Sequence, residues 1–168
     1  MTKVYIGGDM LSTGQQLRRS WEKEQLTRLG LEVHAPQDDK SINDKNNAVQ
    51  EGLAERIVDN DTLGMTTSQI IIFDYLPHAQ GTICEMGFVQ YMLKDLSRLS
   101  TSLTAIPKVY VQCTDVRQGT GHISSEQDRQ EFSINQYVYG VILEITDGRG
   151  IQTWEEIIDD IKEVVKHD

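Results

Sequence analysis

The sequence predicts an α/β fold: a doubly wound, mostly parallel five-stranded sheet with helices on both faces. Three observations carry that expectation. Short β-type runs alternate with longer stretches of helical spacing, and such alternation gives right-handed βαβ units. The strongest run, Ser68 to Phe73, ends in four consecutive apolar residues, which suits a parallel strand covered on both faces. Gly30, Pro36 and Gly64 fall between the periodic stretches, where turn residues belong.

Val4-Tyr5-Ile6 is the first strand and stops at Gly7-Gly8. From Ser12 to Leu29, the residues Leu17, Trp21, Gln25 and Leu29 step by four, with Leu26 beside them. That spacing predicts a helix with its apolar side along those positions, closed by Gly30 as C-cap. Leu31 to His34 reads as a second strand, stopped by Pro36, and the polar stretch Gln37 to Asn47 as a loop. A second helix is expected from Ala48 to Gly64, with Val49, Leu53 and Ile57 on one face. Ser68 to Phe73 is the third strand and Asp74 to Gln80 a loop. A third helix opens at Gly81-Thr82 and carries Ile83, Met86, Phe88, Val89 and Met92. Lys108 to Val111 is the fourth strand, and Thr114 to Gln127 a polar, glycine-bearing mobile loop. Val138 to Ile145 is read as the fifth strand. Trp154, Ile157, Ile158, Ile161, Val164 and Val165 mark a closing amphipathic helix. The architecture is flavodoxin- or Rossmann-like. Such sheets bind ligands beyond the carboxyl ends of their strands, which brings together Gly7-Gly8-Asp9, the stretch from Asp74 to Glu85, and the loop after Val111.

The chain has 168 residues, 38% hydrophobic and 25% charged, and no internal repeat or linker. That is ordinary for one globular domain, here spanning 1–168. Sixteen basic against 26 acidic residues give a formal charge of −10. A surface that acidic repels phosphate backbones and anionic lipid, which argues against a nucleic-acid polymer or a membrane as partner. No apolar run approaches the roughly 20 residues a membrane span needs, and MTKVYIGG has no signal-peptide core. Cys84 and Cys113 form no CxxC pair. A reduced, cytoplasmic protein is expected. His34, His78, His122 and His167 show no metal-ligand spacing.

The segment Gln80-Gly81-Thr82-Ile83-Cys84-Glu85-Met86-Gly87 follows the best strand and opens a helix. Gly81 and Thr82 then lie where free N–H groups favour an oxygen-rich ligand. Glu85 lies one turn in, facing the crevice or the solvent; position alone favours a glutamate stabilised by the helix dipole.

Gly81 to Gly87 resembles the G-[ST]-A-x-E-[LIMV]-G segment of the nucleoside 2-deoxyribosyltransferase family. Val4 to Asp9 resembles the family's opening strand and glycine loop. Asn60 to Gly64 loosely resembles its acid-bearing helix end. Asn135-Gln136-Tyr137, with Gly140-Val141-Ile142, resembles the late segment whose asparagine completes a neighbouring subunit's pocket. The resemblance implies a double displacement in which Glu85 attacks C1′ of a deoxynucleoside and the base leaves. A second free base then attacks the resulting ester. An oxocarbenium-like transition state favours a carboxylate close beneath C1′. Tyr5 is the residue implied to orient Glu85, and Asp61 the acid that exchanges a proton with the base. A pKa raised by burial near Glu85 would suit Asp61. Gly7, Gly8, Asp9, His78, Gln80, Gly81 and Asn135 are the implied substrate contacts. Plainer roles stand beside these: a core aromatic for Tyr5, a solvated acid for Asp61, a tight turn for Gly7 and Gly8, a loop acid for Asp9, a turn residue for Asn135. Cys84 is expected to be small and buried.

The sequence departs from the family where an aspartate usually holds the sugar's 5′-hydroxyl; Ala79 stands there, flanked by His78 and Gln80. Related hydrolases of nucleoside 5′-monophosphates carry a small residue at that position, and Arg117 is the obvious cation for a phosphate. Gly7-Gly8-Asp9 replaces the commoner A-G-P, and Ile83 the usual alanine. Transfer between bases, hydrolysis of deoxynucleosides or their monophosphates, and a non-catalytic nucleotide-binding module are the three functions to separate. No cofactor is implied. A pocket completed by Asn135 of another subunit requires a homo-oligomer, for which Phe88, Tyr91 and Met92 are the expected contact face.

Overall fold

The computed structural model describes residues 1–43, 49–99, 106–115 and 134–166. Four strands form the sheet: β1 (Lys3–Gly7), β2 (Glu32–His34), β3 (Ile70–Asp74) and β4 (Lys108–Gln112). They lie in the order β2-β1-β3-β4 and every pair is parallel. The helices among the described residues are α1 (Thr13–Arg28), a short α2 (Lys40–Asn43), α3 (Leu53–Thr66), α4 (Gln80–Leu99), α5 (Gln136–Ile145) and α6 (Trp154–Lys166).

The sheet separates two cores, because successive strand residues point to opposite faces. Val4, Ile6, Ile70, Ile72 and Tyr110 meet Leu26 of α1 and Trp154, Ile157 and Ile161 of α6. Tyr5, Ile71, Phe73, Val109 and Val111 meet Met65 of α3, Met86 and Val89 of α4, and Val141, Ile142 and Ile145 of α5. All five residues of β3 are buried, and burying each apolar side chain there contributes about 1.5–3 kcal/mol. The sheet is therefore held from its centre, and its carboxyl edge is free to carry polar groups.

Local signals set the helix ends. Ser12 caps α1 by accepting from the Gln15 N–H, and Gly30 follows it at φ +82°, as the sequence predicts. Thr153 and Glu156 form a reciprocal capping box at the start of α6.

Four expectations are corrected. Among the described residues the sheet has four strands, because Val138 to Ile145 lies within helix α5. The β-branched run suggested a strand, but Val138, Val141, Ile142 and Ile145 also recur at helical spacing. Asn135 starts the helix by accepting from the Tyr137 and Val138 N–H groups, and the apolar stripe packs in the same core as α4. After the helix, Ile151 makes an isolated parallel bridge to Val111, and the Gln152 N–H donates to the Val111 carbonyl. The second correction concerns α1, which buries Arg19, Glu22 and Leu26 and leaves Leu17 66% and Trp21 39% exposed. Trp21 packs beside Trp154 under the Arg18 guanidinium. Third, α3 starts at Leu53, with Val49 exposed before it, and the Gln37 to Asn47 stretch holds α2 and a 3-10 turn at Pro36–Asp38. Fourth, Phe88 and Met92 pack against the core and leave Tyr91 exposed, so the expected contact face is smaller. Ala48, Arg117, His122, His167 and the loop beyond Asp115 lie outside the described residues.

Candidate active site

The helical layer over Tyr5 holds the site. Tyr5 and Gly7 share the face covered by α3 and α4, since residues two apart on a strand point the same way. Gly7 pairs with Phe73 across β1 and β3. A Cβ at Gly7 would stand 2.8 Å from Glu85 Oε2 and 2.8 Å from the Phe73 ring. The missing side chain is what lets the α4 carboxylate lie down on the end of β1. Gly7 has no positive φ, so space, not backbone freedom, requires glycine.

Tyr5, Glu85 and Asp61 lie close enough to act on one another electrostatically, and each leaves a polar atom unsatisfied. Tyr5 Oη, Glu85 Oε2 and Asp61 Oδ1 are all buried and have no hydrogen-bond partner. Buried polar groups are normally paired, so these three orphans make the place a candidate site for another molecule's polar atoms. Burial, followed by the charge of Asp61, pushes the Glu85 carboxyl up to about 7. The Tyr5 hydroxyl opposes this by favouring the carboxylate, although the contact falls short of a full hydrogen bond. Burial, and then the charge of Asp39, pushes Asp61 up to about 6. Asp39 stays ionised because the Ser41 hydroxyl and N–H and the Asn60 amide all donate to it. Burial, with the charges of Glu85 and Asp61, holds the Tyr5 phenol far above its ordinary range. The repulsion between the two carboxyls is felt by the one that loses its proton second, here Glu85. The double displacement that the resemblance implies needs the opposite order, with Glu85 ionised and Asp61 protonated.

The other named residues are placed as follows. Asp9 is buried, accepts from the Leu11 N–H, and lies 3.5 Å from Nε2 of His78, which is exposed. Gln80 and Gly81 are exposed at the start of α4, while Ala79 and Thr82 are buried. Gly8 has no room for a Cβ because the Arg19 guanidinium occupies that space. Asn135 is exposed and uses its side-chain oxygen to cap its own helix. Cys84 is exposed, contrary to expectation, because the α4 face that enters the core carries Ile83, Met86 and Val89. Among the described residues no group of three or more His, Cys, Asp or Glu is arranged to hold a metal ion. No described helix is long and apolar enough to cross a membrane.

A second polar cluster, not foreseen from sequence, ties the carboxyl edge together from the opposite face. Arg19 donates to Asp74 at 2.6 Å, to Glu22 at 3.1 Å and to the Gly7 carbonyl at 3.4 Å. Asp74 also accepts from the Thr114 N–H and hydroxyl, and Gln112 donates to Glu22 at 2.6 Å. The cluster links the ends of β1, β3 and β4 to α1. Its one visible sign in the sequence is Asp74, an acid closing an otherwise apolar strand.

A carboxylate pair and a phenol meet at the edge of a parallel α/β sheet and form the candidate site. The family model described as nucleoside 2-deoxyribosyltransferase matches residues 4–134, and the chain belongs to that family. No curated protein matches it. Among solved structures, it is similar to a conserved protein from Enterococcus faecalis V583, with 22% identity and a TM-score of 0.68 over 98% of this chain and 99% of that one. It is also similar to a 2-deoxyribosyltransferase from Bacillus psychrosaccharolyticus, with 14% identity and a TM-score of 0.59 over 94% and 91%. The two structures show the fold; family membership supports a nucleoside deoxyribosyltransferase type of function.

Proposed function

We propose that the protein transfers a 2-deoxyribosyl group between nucleobases, with Glu85 as nucleophile. The observation that carries this reading is the burial of Glu85 Oε2 over Gly7, unpartnered and beside the equally unpartnered Tyr5 and Asp61. Between about pH 6 and 7 the two carboxyls hold about one proton between them. With that proton on Asp61 and the Tyr5 hydroxyl donating to Glu85, the glutamate is the carboxylate. The C1′–N bond then breaks as the C1′–O bond to Glu85 forms, and Asp61 gives its proton to the departing base. The incoming base attacks C1′ of the ester, Glu85 leaves as carboxylate, and the new base's proton returns to Asp61. Attack twice on C1′ retains configuration. A 2′-hydroxyl would crowd Glu85 and disfavour the oxocarbenium, which selects deoxynucleosides.

Asp9, paired with His78, and the start of α4 at Gln80 and Gly81 are assigned to the sugar and base, since Ala79 offers no hydrogen bond. Asn135 is assigned to a neighbouring copy's pocket in a homo-oligomer, a role compatible with its exposed position.

The test is to incubate the protein with deoxyinosine and adenine and separate the products, with Glu85→Ala alongside. Deoxyadenosine formed by the parent alone supports the reading. Hypoxanthine without deoxyadenosine makes water the acceptor and the protein an N-glycosidase. If neither appears, deoxynucleoside monophosphates are the next substrates, which Ala79 would leave room for, and inertness there favours a binding module.

A further inference from the structure

We propose that His34 is a positioning residue, a spacer between β1 and α3 that sets where the Tyr5 hydroxyl and the Asp61 carboxyl meet Glu85. His34 and Tyr5 are register partners on adjacent parallel strands. Their rings stack at 5.6 Å with an interplanar angle of 17°. The bare backbone of Gly64 rests against both: a Cβ there would lie 2.8 Å from His34 Cδ2, 2.9 Å from Nε2 and 3.0 Å from Tyr5 Cδ2. Gly64 stands three residues after Asp61 in α3, so both occupy one helix face. The depth at which α3 settles on the two rings therefore fixes how far Asp61 reaches toward Glu85. The Ser68 hydroxyl, donating to the Gly64 carbonyl at 2.7 Å, holds that turn in place.

The imidazole acts by shape. Its Nε2 is buried with no hydrogen-bond partner, so the edge that meets Gly64 is held by packing. Burial lowers the His34 pKa, and the ammonium groups of Lys3 and Lys23 push the same way against Asp39 and Asp38. A neutral ring can stay in the stack at neutral pH, whereas a protonated Nε2 would face Gly64 with nothing to accept from it.

The role rests on the assignment of Glu85, Tyr5 and Asp61 as the reacting cluster, so its test has an arm that needs no turnover. Glu85 is faced by Asp61 from α3 and Tyr5 from β1, and the Asp61 charge raises its pKa. If the stack sets that approach, removing the ring lets α3 settle deeper and strengthens the repulsion, so stability should fall more steeply between pH 4.5 and 8 than in a variant that keeps a ring. The variants are His34→Ala, His34→Phe and Gly64→Ala, measured by urea unfolding across that range and by base exchange from deoxyinosine to adenine. His34→Ala should lower kcat by on the order of 100-fold, as about 1 Å of misplacement does, with a much smaller change in KM. Its stability should fall more steeply with pH than that of His34→Phe, the matched reference because both lack the imidazole's own titration. His34→Phe, which keeps a flat ring and has no nitrogen, should restore kcat. Gly64→Ala, which wedges a methyl between α3 and the rings, should lower kcat too and, by lifting Asp61 away, make stability fall less with pH than in the parent, a signal available even if His34→Ala does not fold.

A His34→Ala protein with parental kcat and the pH dependence of His34→Phe would overturn the proposal. So would a His34→Phe protein as impaired as His34→Ala, since a nitrogen would then be at work. An inactive parent protein would count against the transferase reading alone, because the unfolding arm still decides the role of His34.

Discussion

Replacing Glu85 with glutamine should make the protein more stable at neutral and alkaline pH while abolishing transfer. The carboxyl stands at about 7 in the folded chain against an ordinary value of 4.5. That difference, at about 1.36 kcal/mol per pH unit, amounts to roughly 3 kcal/mol. Its sign follows from which form the fold tolerates. Below pH 4.5 the group is protonated in the folded and unfolded chains alike, so no penalty exists. Between 4.5 and 7 the unfolded chain ionises first, and the folded state is progressively disfavoured. Above about 7 the penalty is complete, because the folded protein must hold a carboxylate beside Asp61 with an unpartnered oxygen. Glutamine keeps the volume and carries no charge. The stability gap in favour of Glu85→Gln should thus be near zero at pH 4.5 and rise to roughly 3 kcal/mol by pH 8. Urea unfolding followed by far-UV circular dichroism at several pH values measures it, and the other titrating groups largely cancel between the two proteins. A gap that does not change with pH, or a variant less stable than the parent at pH 8, would refute the reasoning.

Two further substitutions probe the surroundings. Asp61→Asn removes the negative neighbour that raises Glu85, so the acidic limb of the kcat/KM profile should move to lower pH. The rate should fall about 10²-fold or more for want of the proton donor; an unmoved limb would mean the two carboxyls are not coupled. Arg19→Met leaves Asp74 and Glu22 buried without their shared guanidinium and should cost about 3–5 kcal/mol, read as a lowered urea midpoint. A midpoint within error of the parent's would show that the buried cluster does not hold the strand ends.

The residues divide into those whose role one chain position reveals and those that only the fold reveals. Ile70 to Phe73 and the helical spacing of Ile83, Met86 and Val89 are dominated by hydrophobic burial, and periodicity reports that directly. Val138 to Ile145 misled because its β-branched residues satisfy two patterns at once, and packing beside α4 chose the helix. The α1 stripe misled for a different reason. An arginine and a glutamate displaced Leu17 and Trp21 from the interior because Asp74 and Gln112 waited there to bond them, and pairing across 55 and 90 residues leaves no periodic trace. In the candidate site, Glu85, Tyr5 and Asp61 were legible only through a motif resemblance, since each alone is an ordinary residue of its element. The structure brings the three together. His34 and Gly64 carried no signal, because their part is the distance between two elements.

The central claim is that Glu85 forms a covalent bond to the sugar. Mixing the protein with deoxyinosine alone, quenching in acid and mapping peptides by mass spectrometry tests it most directly. The account predicts one added deoxyribosyl group on the peptide containing Glu85, removed when adenine is supplied before the quench and absent from Glu85→Ala. Base exchange proceeding at full rate in Glu85→Ala, or an adduct on another residue, would contradict it.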